Sequence, residues 1–330
     1  MDERPDAFDK LDEPAEQDVE QYEGDQGVVD DLVAQAEEII QNEDNHEYYR
    51  EMAENVGLAD TESLLEMISI PSKEVHSAEL SAALIRISNL QCQGGGDLKN
   101  LKGNISSALL MKLDAAYPKH WEIRLGHQTF SSLFYNMSGT KSLHIADCSG
   151  PEGGIGMGVE NVEYICFEDI KGFAGQNMRS VGTALFKEID GPEPAGLHAE
   201  MRNAVFLDVS QVGAIGFENT IFYDVSEVLS DGWEWENNQP ITAYIRQEGL
   251  SPIDQAESAS EFRDFETPIK TILYDPTTGI DVPEDAAETV RPLTDEEYQH
   301  IAALADGPPP NKNEVEDVVA RLAKGVGQDE

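Results

Sequence analysis

The sequence predicts an α+β protein whose core is a parallel β-helix, or β-solenoid, flanked by helical regions at both ends. Three observations predict this class: a repeat of about 20 residues from about 137 to 228, helical periodicity before it, and two capped helices after it. A period of this length is too short for a strand–helix–strand unit but fits one solenoid coil. The expected segments are 1–27 (acidic and disordered), 28–120 (helical), 121–250 (solenoid with an end cap), 251–292 (irregular) and 293–330 (two helices).

The N-terminal region carries the apolar spacing of amphipathic helices. A first helix is expected from Val28, with one apolar stripe that ends at Ile40. Further helices are expected over 45–56, from Asp60 or Thr61 to Ile68, over 77–90 and over 104–116. Proline and glycine end these segments, at Pro71, at Gly94–Gly96 and at Pro118.

The repeat carries two recurring glycines and one recurring methionine. Glycines at 150, 172, 191 and 213 follow apolar strands, and glycines at 154, 175, 196 and 216 precede the next turn. Met157, Met178 and Met201 come shortly after the second glycine of each pair. Coils stacked about 4.8 Å apart pair edge to edge and share one core. We therefore expect glycine columns at the corners and a methionine column in the core.

The chain beyond the repeat predicts an end cap and two helices. Trp233 and Trp235 share one face of an extended segment, and we expect them to cover the open edge of the last coil. Thr294 and Glu297 form the spacing of a capping box, which starts a helix. A linker at 307–310 separates it from a second amphipathic helix, which either docks a partner or packs back onto its own domain.

The coils resemble the GXGXG repeat domain, the right-handed β-helix found in the large subunit of glutamate synthase and in one of the subunits of formylmethanofuran dehydrogenase. Gly172-Phe-Ala-Gly175-Gln-Asn-Met178-Arg179 matches the opening of that repeat, and the stretch from Met201 to Gly213 keeps its strand length. The doubled glycine that follows the family's methionine is missing here. The resemblance covers about 137–228 and implies a right-handed, structural and non-catalytic module.

Net charge separates this chain from most globular proteins: 65 acidic against 22 basic residues give −43. Residues 121–230 carry 15 acids and 6 bases, so acid is concentrated in the flanks but present throughout. That distribution favours adaptation to multimolar salt over a single acidic binding tail. The charge argues against nucleic acid as a partner. No apolar run suits a membrane span, and the acidic start is unlike a secretion signal, so a cytoplasmic location is expected.

Aspartates near the ends of successive strands are the first candidate site. Asp169, Asp190, Asp208 and Asp224 occupy such positions, and LDVS at 207–210 is repeated as YDVS at 223–226. A carboxylate column could bind Ca²⁺ or act as acid and base. In a chain this acidic, solvated aspartates at strand ends are the simpler interpretation.

Two arginines complete the candidate set. Arg179 and Arg202 each follow a methionine of the repeat, so we expect them to stack on the outer surface and to pair with nearby acids. Bases are scarce here, which makes these two the better candidates for an anionic contact. The predicted ligand-binding residues are therefore Arg179, Arg202, Asp208 and Asp224; no catalytic residue, metal or cofactor is predicted.

Cysteine and histidine provide one further constellation. Cys148 and Cys166 fall on neighbouring coils, and His144 shares a strand with Cys148. If these side chains converged, they could form a thiol–imidazole pair or a metal site. Small buried cysteines are much commoner, and we expect that role.

Three functions remain open at this point. The first is a non-enzymatic scaffold or interaction protein of a halophile, with a protein partner or self-association. The second is an accessory subunit of a redox or amidotransferase complex. The third is a carbohydrate-active β-helix enzyme that uses the aspartate column.

Overall fold

A parallel β-solenoid forms the centre of the molecule. The computed structural model describes residues 24–42, 61–90, 99–130, 132–191, 194–213, 217–229, 241–245, 272–275 and 290–325. Nine strands form one parallel sheet in chain order, each paired with the next. They are β1 (His120–Thr129), β2 (Ser142–Ile155), β3 (Tyr164–Ala174), β4 (Val181–Asp190), β5 (Met201–Gly213), β6 (Phe217–Leu229), β7 (Ile241–Ile245), β8 (Ile272–Tyr274) and β9 (Val290–Pro292). The predicted α+β class with a solenoid core is confirmed.

Six helices flank the sheet in the described part of the chain. They are α1 (Gln26–Gln41), α2 (Thr61–Met67), α3 (Ser77–Ser88), α4 (Lys99–Ala116), α5 (Asp295–Asp306) and α6 (Lys312–Gly325). The predicted Thr294–Glu297 capping box opens α5, and α4 begins five residues before its predicted start. The helix expected over 45–56, the tryptophan lid, the glycine run at 94–96 and nearly all of the expected disordered segment 1–27 lie outside the described residues.

A phenylalanine ladder runs through the interior of the solenoid. Its rings stack at centroid distances of 5.1, 4.8 and 5.5 Å, and the strand register places its members opposite one another: Phe167, Phe186, Phe206 and Phe222. The three innermost rings are fully buried and the fourth is nearly so. Each coil can bury its apolar face only against the next, so the ladder joins the coils into one core.

The coils differ in length, so the predicted corner and core columns are only partly correct. Ile145 and the four ladder phenylalanines lie opposite one another at sequence spacings of 22, 19, 20 and 16 residues. Gly150 and Gly172 are register partners, as predicted. The predicted methionine column is only partly correct: Met178 and Met201 are both buried in the interior cluster, but Met201 is the register partner of Val181 and not of Met178. Turns of unequal length shift residues that share a position in the repeat.

Helix α3 covers the free edge of the first strand. Backbone N–H groups of Glu122 and Arg124 donate to the hydroxyls of Ser77 (3.0 Å) and Ser81 (3.1 Å). An uncovered parallel edge would present such donors to another chain. The N-terminal helices share one apolar cluster with the solenoid interior, so they close this end of the core.

Helices α5 and α6 pack on the outer face of the solenoid. The α6 stripe of Val315, Val318, Val319 and Leu322 and the α5 residues Ile301 and Leu304 join a second apolar cluster with outward side chains of β3–β6. The linker is anchored twice: Tyr164 donates its hydroxyl to the carbonyl of Pro310, and Lys187 Nζ donates to the carbonyl of Gly307 at 2.6 Å. Of the two alternatives left open by the sequence, the last helix takes the second and packs onto its own domain.

Two further findings concern the rest of the described chain. The segment 251–292, expected to be irregular, contributes β8 and β9 to the sheet. Among the described helices, none has the length and apolar content needed to cross a bilayer.

Candidate functional site: a carboxylate column at the solenoid corner

Every long strand from β2 to β6 bends at one acidic residue in the left-handed backbone region. These residues have φ between 47° and 58° and are Asp147, Asp169, Glu188, Asp208 and Asp224. The residues on either side of each are register partners, which aligns the five on successive coils. Aspartate tolerates this conformation better than most L-residues do. We call these five residues the carboxylate column.

The aspartate column predicted from the sequence is real but had one wrong member and two missing ones. Asp190 is the partner of Lys171 and lies two positions from the corner. Asp147 and Glu188 take corner positions instead. In each coil the corner residue is an acid that is directly followed by an apolar residue, as in Asp147-Cys148, Glu188-Ile189 and Asp208-Val209. That pattern could have identified both residues.

Basic side chains lie beside the first three members of the column but not beside the last two. Arg124 lies 3.3 Å from Asp147, His127 lies 3.5 Å from Asp169, and Lys187 lies 4.0 Å from Glu188. Asp208 and Asp224, in contrast, are exposed and have no ion pair with any described residue. Adjacent parallel strands lie about 4.8 Å apart, so these two carboxylates are close neighbours.

A polar cluster adjoins the first coils of the column. His144, which is buried, lies 3.1 Å from Glu168, and Arg124 lies 3.7 Å from the same carboxylate. Burial raises the pKa of Glu168, but the hydrogen bond from His144 and the charges of His144, Arg124 and Lys187 outweigh it and leave the pKa below its ordinary value. The neighbouring basic side chains therefore stabilise the charged form of Glu168.

A serine–histidine pair lies beside this cluster. The His120 ring nitrogen Nδ1 is 2.7 Å from the Ser142 hydroxyl. Burial, and then the charge of nearby His144, lower the pKa of His120, against an opposing effect of Glu122. His120 therefore favours the neutral form, whose Nδ1 can accept a hydrogen bond from the serine hydroxyl.

The two candidate arginines do not stack. The backbone of Arg179 forms an isolated parallel β-bridge with that of Glu160, whereas Arg202 follows Met201, the partner of Val181, and so lies opposite Gly182. The two arginines are three register positions apart, because 23 residues separate them in the sequence whereas register partners in β4 and β5 are 20 residues apart. Both are exposed, and neither is a register neighbour of Asp208 or Asp224.

The cysteines lie on opposite sides of the solenoid wall. Cys148 belongs to the interior cluster and Cys166 to the outer cluster under α5 and α6. Burial raises the pKa of both thiols, with a further increase from nearby acids, which leaves them unreactive. His144 is the register partner of Cys166. The described residues contain no group of three or more side chains suited to hold a metal ion.

Comparison with protein-family models, with curated proteins and with solved structures found no match for this chain.

Proposed function

We propose that this protein is a non-enzymatic interaction scaffold whose solenoid corner binds an arginine-bearing segment of a protein partner. One observation carries the proposal: Asp208 and Asp224 are aligned, exposed and without an ion pair among the described residues. A guanidinium presents several donors in one plane and can bind two neighbouring carboxylates at once. The resemblance to the GXGXG domain, whose coils serve as structure, supports the same role.

The salt concentration determines which electrostatic contacts such a surface can make. The acidic composition supports a halophilic source and a cytoplasmic location. At about 1 M salt the screening length is only about 3 Å, so long-range attraction is lost and direct ion pairs remain. Two adjacent carboxylates that share one guanidinium form such a direct contact.

Exposure distinguishes this role from glycoside hydrolysis. A general acid of that reaction requires surroundings that raise its pKa. Asp208 and Asp224 lie exposed at an outer bend of the coil. The geometry therefore favours binding over acid–base chemistry at this column.

The proposal is tested by affinity capture from the source organism with the full-length chain as bait. Capture is done at high salt, and the bound chains are identified by mass spectrometry. A second bait carries Asp208→Asn and Asp224→Asn. A third carries Asp31→Asn and Glu38→Gln, which remove two exposed charges from α1.

A partner retained by the wild-type and α1 baits, but lost from the column bait, supports the proposal. Equal recovery on all three baits contradicts the proposed binding surface. A monomer with no bound chain on any bait contradicts the scaffold role itself.

A further inference from the structure

A cleft distinct from the carboxylate column lies between α2, α4 and the turn that leads into β2. Its volume is about 460 Å³, within the range of small-molecule sites. Apolar and polar groups face it from different elements, and those used below are Leu65, Met111, Pro118, Lys112, Thr140 and Lys141. The cleft therefore combines an apolar wall with a small number of polar groups.

Two lysines meet at this cleft in a chain with only 22 basic residues. Lys112 Nζ donates one hydrogen bond to the Leu65 carbonyl at 2.8 Å and keeps further donors. Lys141 is exposed, and no ion pair joins it to another described residue.

One acid, Asp114, also lines the cleft, but its carboxylate is already held by donors. It accepts from Trp121 Nε1 at 2.8 Å and from the backbone N–H groups of Lys119 and Lys141 at 3.4 Å each. These hydrogen bonds join α4 to the solenoid and stabilise the charge of Asp114. The two lysines therefore determine that the cleft favours an anionic ligand.

Thr140 adds a second, independent observation. Its side chain is 1% exposed, and its hydroxyl has no hydrogen-bond partner among the described residues. Buried hydroxyls are normally satisfied, so an unpaired one next to a cleft indicates a missing partner. An oxygen atom of a bound ligand would supply it.

We infer that this cleft binds a small amphipathic carboxylate. The carboxylate lies between Lys112 and Lys141 and accepts from the Thr140 hydroxyl, while the apolar part packs on Leu65, Met111 and Pro118. A charged head and an apolar body are both needed to match the two sides of the cleft. This ligand site is separate from the partner-binding surface and does not depend on it.

The test is calorimetric titration of the full-length protein with octanoate, octanol and acetate. Octanoate is expected to bind with one site per chain, whereas octanol lacks the charge and acetate lacks the apolar body. Lys141→Gln is expected to weaken octanoate binding about tenfold, because one charge-assisted contact is lost. Lys171→Gln, an exposed lysine of β3 outside the cleft lining, is the matched control and leaves binding unchanged.

Thr140→Val separates a ligand role from a structural one. It replaces the unpaired hydroxyl with a methyl group, so the free protein should melt at a higher temperature while octanoate binding weakens. Three results would overturn the inference: octanol binding as tightly as octanoate, equal octanoate affinity in the Lys141 and Lys171 variants, or no octanoate binding. A lower melting temperature for Thr140→Val would also overturn it, because the hydroxyl would then have a partner already.

Discussion

The left-handed residues at the solenoid corner connect backbone geometry to surface charge. Most L-residues avoid positive φ, and the tolerance of aspartate for it accounts for the aspartates at four of the five positions of this bend. The same choice places acidic residues on adjacent strands, which lie about 4.8 Å apart. One local requirement of the backbone therefore creates an extended anionic surface.

Substitution of Asp208 separates the conformational role of this corner from its charge. Asp208→Asn keeps a residue that tolerates φ of 54° and removes repulsion from Asp224, so stability should be unchanged or slightly higher at low salt. Asp208→Ala should lower the free energy of unfolding by about 1 kcal/mol, because alanine is strained there. Urea unfolding at low and high salt measures both; equal stability of the two variants would contradict the conformational role.

The lowered pKa of Glu168 predicts how the stability of the protein changes with pH. Its pKa in the folded protein lies below the ordinary value of 4.5, so the folded state favours the charged form. The resulting stabilisation is complete above about pH 4.5 and is lost as the pH falls through the lowered pKa of the folded state. Glu168→Gln should remove this part of the acid sensitivity and cost about 1–3 kcal/mol at neutral pH.

The check is urea unfolding of the wild type and Glu168→Gln between about pH 3 and pH 7. Glu38→Gln, on the exposed face of α1, serves as control and should follow the wild-type curve. A Glu168→Gln curve parallel to the wild type across the whole range would contradict the account.

Individual corner residues were harder to predict than the solenoid itself. The repeated DVS at 208–210 and 224–226 indicated part of the column. Register depends on coil length, however, and the coils range from 16 to 22 residues. The choice of aspartates near strand ends therefore led to Asp190 instead of Glu188, and the choice of arginines that follow methionines led to a stack that the structure does not contain.

At the scale of whole elements, the phenylalanine ladder joins successive coils through stacked rings. Phe186 stacks on Phe167 and Phe206 and is fully buried. Phe186→Ala should therefore lower the free energy of unfolding by about 3–5 kcal/mol, and Phe186→Leu by roughly 1 kcal/mol. Denaturant unfolding followed by circular dichroism measures both. Phe173→Ala, at a half-buried site outside the ladder, is the control, and an equal loss there would contradict a special role for the ladder.

The linker between α5 and α6 provides a second prediction at this scale. Tyr164→Phe with Lys187→Met removes both side-chain anchors of the linker. Each hydrogen bond contributes about 1 kcal/mol, so trypsin cleavage after Lys312 should become at least tenfold faster. Cleavage after Arg86 in α3 is the internal control. Unchanged cleavage after Lys312 would show that the apolar contacts alone hold the helices.

Helices were predictable because their signals are local. The Thr294 capping box and the apolar stripe of α6 are readable from spacing, and both are present. The cover that α3 provides to β1 was not predictable. It depends on two serine hydroxyls meeting two strand N–H groups, a match that arises only after the helix has packed on the sheet.

At the scale of the whole molecule, the solenoid is closed at its first coil by α3 and covered on one outer face by α5 and α6. The reactive side chains within it have structural partners: the thiols are buried and Glu168 is paired. Asp208 and Asp224 remain on the outside without an ion pair among the described residues. This division between a rigid body and an exposed anionic corner underlies the proposed scaffold function.

The most direct test of this account is the affinity of the captured partner for three forms of the chain. They are the wild type, the double variant of Asp208→Asn with Asp224→Asn, and the α1 double variant, each titrated at several salt concentrations. The account predicts that the column variant binds at least about tenfold more weakly and with a weaker dependence on salt, while the α1 variant matches the wild type. Equal affinity and equal salt dependence in all three forms would contradict it.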